Sequence, residues 1–237
     1  MLFCFEMLMK YRNPLKCLTK FEKILWAVSV LVVTLSFLLT EPRDYLTLAA
    51  SLIGVSALIF VAKGMVVGQL ICVFFAVFYG IISFHFRYYG EMITYLGMSA
   101  PASVCALISW LKHPFADSNE VKISKTTPRI VISAFAIATA VTIVFYFILG
   151  ALNTENLFFS VLSVFTSVLA AAFTYMRSPY YAIAYAANDI VLIVLWILAT
   201  IAVISYLPMI FCFVMFLFND TYGFINWKRL SKKQDKI

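Results

Sequence analysis

Two pairs of adjacent asparagine and aspartate residues stand inside apolar stretches of this sequence. Asn188 and Asp189 lie within the stretch 180–204, about ten residues from its start, which is the middle of a membrane-spanning helix at about 1.5 Å rise per residue. A carboxylate at that depth costs roughly 2.5–3.5 kcal/mol on insertion scales, so it faces the protein interior and by default marks a ligand path or site. The alternative is an aspartate that is hydrogen-bonded inside a helix bundle for structural reasons alone.

The second pair, Asn219 and Asp220, stands in the last apolar stretch. Asp220 lies about two helical turns from the predicted end of that span. A solvated carboxylate, or an ion pair with Lys228 or Arg229, is therefore the alternative to a ligand contact. The two pairs would face each other within the C-terminal half of the chain.

Aromatic residues accompany these polar pairs at helical spacing. Tyr185 and Trp196 share one side of their helix with the first pair, because spacings of 3–4 and 7–8 residues stack side chains along one face. Tyr79 stands near the middle of another apolar stretch. Rings can stack on the faces of a small, flat ligand, while amide and carboxylate groups hydrogen-bond its hydroxyls. The predicted substrate-binding residues are Tyr79, Tyr185, Asn188, Asp189, Trp196, Asn219 and Asp220.

Other kinds of site have no support in the sequence. The five cysteines are scattered without close pairs, which favours small buried residues over disulfides or a zinc site. The two histidines, His85 and His113, lie on different segments, so neither a metal site nor a Ser-His arrangement is indicated. We therefore expect no catalytic residue, no metal and no cofactor. The alternative of a membrane-embedded enzyme would need a nucleophile–base pair or metal ligands within the spans.

The composition predicts an all-α polytopic membrane protein. Hydrophobic residues make up 64% of the 237 residues and charged residues 12%, against about 25% charged in soluble domains. Only helices and closed barrels satisfy their backbone in lipid, and the alternating segments typical of barrels are absent from the sequence. Breaks at Pro, Gly and charged residues divide the chain into eight predicted transmembrane helices, at 24–40, 45–62, 66–86, 91–111, 129–149, 157–176, 180–204 and 207–227.

The basic residues predict the orientation of these spans, because Lys and Arg concentrate on the cytoplasmic side of membrane proteins. Placing both termini and the connection after the fourth span in the cytoplasm leaves only Arg43 and Arg87 of the 18 Lys and Arg residues outside. This placement accounts for the net charge of +7 without a nucleic-acid partner.

The two halves of the chain are similar in layout. The fourth predicted span ends in ISWLK and the eighth in INWKR, and the shift of 117 residues from Trp110 to Trp227 also superposes Tyr79 on Trp196. The spacing predicts a parallel repeat about an axis along the membrane normal. Terminal Trp-basic pairs are also typical interface anchors, which is the alternative explanation for the two similar endings.

These features predict five parts of the chain. An N-terminal segment with the first helix (1–40) precedes a first three-helix repeat (45–111) and a cytoplasmic loop with a linker helix (112–149). A second three-helix repeat (157–227) and a basic cytoplasmic tail (228–237) follow. One linker helix between two parallel three-helix repeats is what a 3+1+3 layout requires, because both repeats must start on the same side.

Three stretches of the sequence form a recognisable pattern, FYGIISFHFRYYGEM (78–92), NDIVLIVLW (188–196) and NDTYGFINWKR (219–229). They resemble the PnuC family of bacterial vitamin transporters, and the resemblance covers most of 45–230. It implies a SWEET-like fold in 3+1+3 order and facilitated uptake of nicotinamide riboside, or of a related nucleoside or vitamin, across the bacterial cytoplasmic membrane. It also implies passive transport, with the substrate trapped by phosphorylation in the cytoplasm.

The resemblance leaves the substrate and the assembly open. Members that carry nicotinamide riboside typically have a Trp-x-x-Trp motif entering the penultimate span, whereas the window 180–188 contains Tyr180, Tyr181 and Tyr185 and no tryptophan. A thiamine or deoxynucleoside facilitator of the same family is therefore the alternative, and a membrane-embedded binding component that needs a partner is a further one. The predicted partners are a small-molecule substrate and membrane lipids, and a homo-oligomer is left open.

Overall fold

The computed structural model describes residues 14–41, 43, 45–85, 89–116 and 118–236. Nine α-helices lie within these ranges. They are α1 (Lys20–Leu38), α2 (Tyr45–Ala62), α3 (Val66–His85), α4 (Tyr89–Thr94), α5 (Ala100–Lys112), α6 (Pro128–Ala151), α7 (Leu157–Tyr175), α8 (Tyr181–Ala202) and α9 (Leu207–Gln234).

Seven of the described helices are long and apolar enough to cross a membrane. They are α1, α2, a rod formed by α4 and α5, α6, α7, α8 and α9, while α3 is apolar over the shorter stretch 66–81. The prediction of an all-α polytopic membrane protein is confirmed. Residues 1–13 of the predicted N-terminal part, and Arg87 of the predicted outer side, lie outside the described residues.

A proline shapes the rod that α4 and α5 form. Pro101 has no backbone N–H, so the hydrogen bond that would normally close the preceding turn is missing. The helix passes through a π-helical turn at Tyr95–Ser99, and the N–H of Ala100 donates to the carbonyl of Tyr95. Such π-turns occur frequently near functional sites, and Tyr95 packs against the predicted site residue Tyr79.

Two helices extend four or more residues beyond their predicted bounds. α1 begins at Lys20 instead of 24, because Thr19 and Glu22 form a capping box in which each side chain accepts a hydrogen bond from the other backbone N–H. α9 continues to Gln234 instead of ending at 227. Basic residues end a predicted membrane span but suit the last turns of a helix, since they complement its dipole.

Six helices form a closed ring. α2 packs against α3, α3 against α5, α5 against α7, α7 against α8, α8 against α9, and α9 against α2. In addition, α1 packs against α2 and α9, and α6 packs against α7. The ring therefore combines a first group, made of α2, α3 and the α4–α5 rod, with a second group, made of α7, α8 and α9.

The turns that end the first helix of each group have the same hydrogen bonds. After α2, Gly64 (φ 74) and the next residue donate to carbonyls three and five residues back, at 2.8 and 2.9 Å. After α7, Arg177 (φ 56) and the next residue make the matching bonds at 3.0 and 2.9 Å. Both turns close the helix around a left-handed residue, the arrangement that satisfies its last carbonyls.

The last helices of the two groups also reach across to each other's first helix. Trp110 Nε1, near the end of α5, donates to the carbonyl of Thr174 in α7 at 2.9 Å. Trp227 Nε1 in α9 donates to the carbonyl of Val61 in α2 at 3.0 Å. The two rings meet with their centroids 5.3 Å apart. Each tryptophan therefore gives a second hydrogen bond to a helix-ending carbonyl of the opposite group, which already accepts from the N–H of Gly64 or Arg177.

The residues just before the two tryptophans repeat this exchange. Ser109 Oγ donates to the carbonyl of Tyr175 at 2.7 Å, and Asn226 Nδ2 donates to the carbonyl of Ala62 at 2.9 Å. A serine and an asparagine make equivalent bonds, so the two positions are equivalent in the fold although their residue types differ.

Two shifts relate the groups, and the single predicted shift of 117 residues is wrong for their first two helices. The shift from Gly64 to Arg177 is 113 residues, and it also relates the first turns of α3 and α8, where Gly68 and Tyr181 donate to the carbonyls three residues back. The shift of 117 residues holds for the last helices, which contain Trp110 and Trp227. The second helices follow the shift of 113, so the predicted equivalence of Tyr79 and Trp196 is wrong. The four-residue difference is about one helical turn, and it lies between the first turn of the second helix and the tryptophan of the third.

Candidate substrate-binding site

Asp189 of α8 and Asp220 of α9 meet in the interior of the ring. They are 3% and 4% exposed, and their carboxyl groups lie close enough to hydrogen-bond with each other. An ionised carboxylate only accepts hydrogen bonds, so at least one of the two carries a proton when such a bond forms. Asp189 Oδ2 is buried and receives no hydrogen bond from an N–H or hydroxyl group of the described residues. The carboxyl pair therefore has capacity left for a ligand.

The depth of Asp220 differs from the sequence-based expectation. Its burial contradicts the alternatives of solvation or pairing with Lys228 or Arg229, because its carboxyl faces Asp189. The signal that could have found this pairing is the equal distance from the connection between the two helices. Asp189 stands thirteen residues before Ala202, and Asp220 stands thirteen residues after Leu207. Residues equally far from a short connection lie level in two antiparallel helices.

The two asparagines face other neighbours than the aspartates. Asn188 Oδ1 accepts a hydrogen bond of 2.9 Å from Thr166 Oγ1 in α7. Asn219 is fully buried, and its Nδ2 donates to Ser29 Oγ in α1 at 3.0 Å and to the carbonyl of Met215 at 2.7 Å. Successive residues of a helix point about 100° apart. In each pair the aspartate thus faces the other aspartate, while the asparagine ties its helix to a neighbouring one.

Of the other predicted site residues, Tyr185 lies beside the carboxyl pair. Its hydroxyl lies close to that of Thr174 in α7, and it is close enough to Asp220 and Cys72 for electrostatic interaction. Tyr185 and Cys72 bring α8 and α3 to the site, so residues of both groups surround the carboxyls. Among the described residues, no cluster of three His, Cys, Asp or Glu side chains is arranged to hold a metal ion.

Tyr181, Trp110 and Trp227 form a layer that closes one side of this site. All three are 0% exposed, and the Tyr181 ring lies 4.6 Å from that of Trp227. Tyr181 stands eight residues before Asp189, so the layer is about 12 Å nearer the end of the bundle. A Cβ at Gly223 would lie 2.9 Å from the Tyr181 hydroxyl, so only glycine lets this ring pack there. We call these three rings the aromatic seal.

The aromatic seal includes residues that the sequence had not selected. The burial of Trp110 and Trp227 contradicts the alternative that they are interface anchors. Their burial could not be predicted from the neighbouring basic residues, because a Trp followed by Lys or Arg at the end of a span is also typical of a membrane interface. The similar endings of the two halves were the signal, since two residues related by a symmetry axis can meet on it.

The remaining predicted residues, Tyr79 and Trp196, stand in two aromatic clusters apart from the carboxyl pair. Trp196 stacks on Phe213, with ring centroids 6.5 Å apart and an interplanar angle of 15°, and it contacts Tyr206 at 5.5 Å. Tyr79 contacts Tyr95 at 4.4 Å. These contacts place both residues on the side of the site opposite the aromatic seal, because each stands further along its helix from the Trp-bearing end.

A glycine lets these two aromatic clusters approach each other. A Cβ at Gly54 of α2 would lie 2.7 Å from the Phe216 ring and 3.5 Å from that of Phe75. Phe216 contacts the Trp196 cluster through Phe213, and Phe75 contacts Tyr79. The carboxyl pair thus lies between an aromatic band on one side and the aromatic seal on the other, an arrangement that suits a flat, polar ligand.

Comparison with known proteins decides the family. The family of nicotinamide mononucleotide transporters matches residues 44–229, which is most of the chain. The chain belongs to this family. It is similar to the nicotinamide riboside transporter PnuC of Neisseria mucosa, with 29% identity over 224 residues that cover 91% of this chain and 83% of the relative. The PnuC resemblance is therefore confirmed.

A solved structure supports the same assignment. The chain is similar to the crystal structure of the vitamin B3 transporter PnuC, with a TM-score of 0.77 and 26% sequence identity, covering 92% of this chain and 94% of that one. The relatives of this PnuC family member are named as transporters, which confirms the prediction that it is not an enzyme.

Proposed function

We propose that this chain is a facilitator that carries nicotinamide riboside, or a closely related nucleoside or vitamin, across the bacterial cytoplasmic membrane. The curated relative is named for nicotinamide riboside and the solved structure for vitamin B3. Transport is passive, and phosphorylation in the cytoplasm traps the substrate. The homologous transporters support this function, and the buried carboxyl pair supports the choice of substrate.

The Asp189–Asp220 pair is the observation that favours a cationic substrate. Two buried carboxyl groups this close do not both ionise readily, but a cation bound beside them favours loss of one proton. The pair then carries one negative charge in the low-dielectric interior, where attraction to the cation is strengthened. Nicotinamide riboside and thiamine both carry a fixed positive ring charge, whereas deoxynucleosides are neutral. The pair therefore suits either cation better than a neutral nucleoside, although tyrosines replace the expected tryptophans in the window 180–188.

The proposed architecture is a 3+1+3 bundle with α1 added at its start. The first and second groups are the parallel repeats, and α6 is the linker that returns the chain across the membrane. The matching turns at Gly64 and Arg177, and the exchanged bonds of Trp110 and Trp227, support this relation. Both termini lie in the cytoplasm, as the positions of the basic residues favour.

Uptake of radiolabelled nicotinamide riboside into proteoliposomes that contain this chain alone tests the function. We expect uptake above that of protein-free liposomes, and competition by an excess of unlabelled substrate. Thermal shift with nicotinamide riboside, thiamine and deoxynucleosides then ranks the substrates, and we expect the two cations to stabilise the protein more than neutral nucleosides. Binding without any uptake would contradict a self-sufficient transporter and favour a binding component that needs a partner.

A further inference from the structure

A short extended segment crosses the end of the bundle beside the aromatic seal. We call residues 118–127, between α5 and α6, the strap. The N–H of Val121 donates to the carbonyl of Gly64 at 2.8 Å, and the N–H of Ser124 donates to the carbonyl of Arg177 at 3.0 Å. Gly64 and Arg177 are the matching left-handed residues that end α2 and α7. The strap therefore binds the same carbonyl in each of the two groups.

The strap is held to the first group chiefly through its backbone. Residues 120–122 pair with the residues after α5, with bonds of 2.9 Å from Phe115 N to the Glu120 carbonyl and 2.8 Å from Lys122 N to the His113 carbonyl. Glu120 also forms a β-bridge with Met65, which follows the Gly64 turn. The first group thus holds the N-terminal half of the strap like an additional strand.

The second group holds the strap chiefly through side chains. Gln234, at the end of α9, accepts from the N–H of Ile123 at 2.8 Å and donates to the carbonyl of Val121 at 3.0 Å. The hydroxyls of Thr126 and Ser178 lie 2.7 Å apart. The bound glutamine amide replaces the partners that a strand would supply to these backbone groups, which cannot stay unpaired when buried.

The strap also covers the aromatic seal. The Val121 side chain is 1% exposed and belongs to the buried core that contains Trp110, Trp227 and Tyr181. All three rings are fully buried, so a substrate that leaves past the seal must displace them. Movement of the rings requires space that Val121 and the strap now fill.

The length of the strap limits how far the two groups can separate at this end. The nitrogens of Val121 and Ser124 are three residue steps apart along the chain. An extended chain spans at most about 3.3–3.6 Å per residue. While both bonds hold, the two nitrogens cannot be more than about 10–11 Å apart. Transporters with parallel repeats open and close by rocking one group against the other, which changes the distance between matching residues of the two groups.

We propose that the strap is a latch that keeps the cytoplasmic mouth closed while it binds the Gly64 turn and the Arg177 turn together. One of its two ends must release before the groups separate, the aromatic seal opens and substrate leaves toward the cytoplasm. The proposal rests on the proposed transport function and on the proposed orientation. It assigns the long connection between the two halves a role in the transport cycle.

Two engineered disulfides test whether release of one end suffices. In a variant without the five native cysteines, Met65→Cys with Glu120→Cys joins the strap to the first group, because bridged residues lie within disulfide distance. Thr126→Cys with Ser178→Cys joins it to the second group, where the hydroxyls now touch. Oxidation with copper–phenanthroline forms the bonds, and dithiothreitol reverses them.

We expect the doubly cross-linked protein to lose nicotinamide riboside uptake to the level of protein-free liposomes and to regain it on reduction. Each single cross-link is the matched control and should leave uptake intact, because the other end of the strap can still release. Binding measured by calorimetry should persist in all forms. Uptake by the oxidised double variant at the rate of its reduced form would overturn the latch.

A second readout does not depend on the substrate. Replacing Trp26 and Trp196 by Phe leaves Trp110 and Trp227 as the reporters of the seal. In this background, Gln234→Ala removes two bonds to the strap and should increase quenching of tryptophan fluorescence by acrylamide. The control is Lys125→Ala, which removes only an exposed ion pair with Asp235 and should not change quenching. Equal quenching in the Gln234→Ala variant and its parent would also overturn the latch.

If the unmodified chain neither binds nor carries nicotinamide riboside, the proposed function fails while the quenching experiment still decides the latch. If it carries substrate and the double cross-link has no effect, the latch fails while the function stands.

Discussion

At the scale of single residues, the structure separates two kinds of polar residue that the sequence could not distinguish. Position within an apolar stretch predicted that Asp189 is buried, and this is what the structure shows. Position did not predict that Asn188 and Asn219 bind neighbouring helices, because that depends on which helix stands at each side. Burial can be inferred from the chain itself, whereas the identity of a partner requires the packing.

The shared proton makes a specific prediction for amide substitutions at the carboxyl pair. Asp189→Asn and Asp220→Asn should each retain binding of nicotinamide riboside, because the amide can take the place of the protonated carboxyl and one negative charge remains. The double variant removes the charge and should lose about 1.5–3 kcal/mol, the range for hydrogen bonds to charged groups, or roughly tenfold or more in affinity.

Calorimetry on the purified wild type and the three variants measures this difference, with circular dichroism to confirm that each variant folds. Any neutral deoxynucleoside that binds serves as the matched ligand, since its affinity should change less in the double variant. The interpretation would be wrong if the double variant bound nicotinamide riboside as tightly as the wild type, and the buried aspartates would then have a structural role only.

At the scale of elements, helices were easier to predict than their ends. Each predicted span overlaps a described helix, because membrane spans need long uncharged stretches. The start of α1 was missed because its first turn contains Lys20, Glu22 and Lys23, which do not fit a membrane span. Glu22 is nevertheless 0% exposed, because Lys63 lies 3.2 Å away and the Tyr222 hydroxyl donates to it at 2.6 Å.

This buried carboxylate predicts how α1 is fastened to the bundle. Glu22→Ala should destabilise the protein by about 3–5 kcal/mol, since it leaves the largely buried Lys63 without its partner and removes the helix cap. Tyr222→Phe removes one hydrogen bond to a charged group and should cost about 1.5–3 kcal/mol.

Thermal unfolding in detergent measures both variants, and the expected order of Tm is wild type, then Tyr222→Phe, then Glu22→Ala. Lys23→Ala is the control, because Lys23 is exposed in the same turn and should leave Tm nearly unchanged. A Glu22→Ala protein as stable as the control would contradict a contribution of this network to stability.

At the scale of the whole molecule, the sequence indicated the similar layout of the two halves but not the register that relates their helices. The similar endings ISWLK and INWKR identified the two tryptophans that meet at the centre. A single shift then failed for α3 and α8, because one helical turn can be added between helices without changing how they pack. The matching turns at Gly64 and Arg177 have different residue types, so their equivalence is visible only in their hydrogen bonds.

The orientation of the molecule gives a prediction for labelling in intact cells. Ser118→Cys stands in the strap and Asn153→Cys in the connection between α6 and α7. If the positive side is the cytoplasm, a membrane-impermeant thiol reagent added outside should label the second variant and not the first. Disrupted cells provide the control in which both should react. Labelling of Ser118→Cys from outside would contradict the proposed orientation.

The last prediction concerns the energy source of transport. We expect nicotinamide riboside to equilibrate across the membrane without accumulating, as the resemblance to PnuC transporters implies.

The opposing feature is the proton that Asp189 and Asp220 share, because a carrier that released this proton to one side and took it from the other would couple uptake to a pH gradient. The aromatic seal lies between that pair and the strap, and only one of its three rings, Tyr181, has a titratable group. Uptake into proteoliposomes with and without an imposed pH gradient decides, with a protonophore as the control. We expect the same final internal concentration in both cases, equal to the external one. Accumulation above the external concentration that the protonophore abolishes would show that the carboxyl pair couples transport to protons.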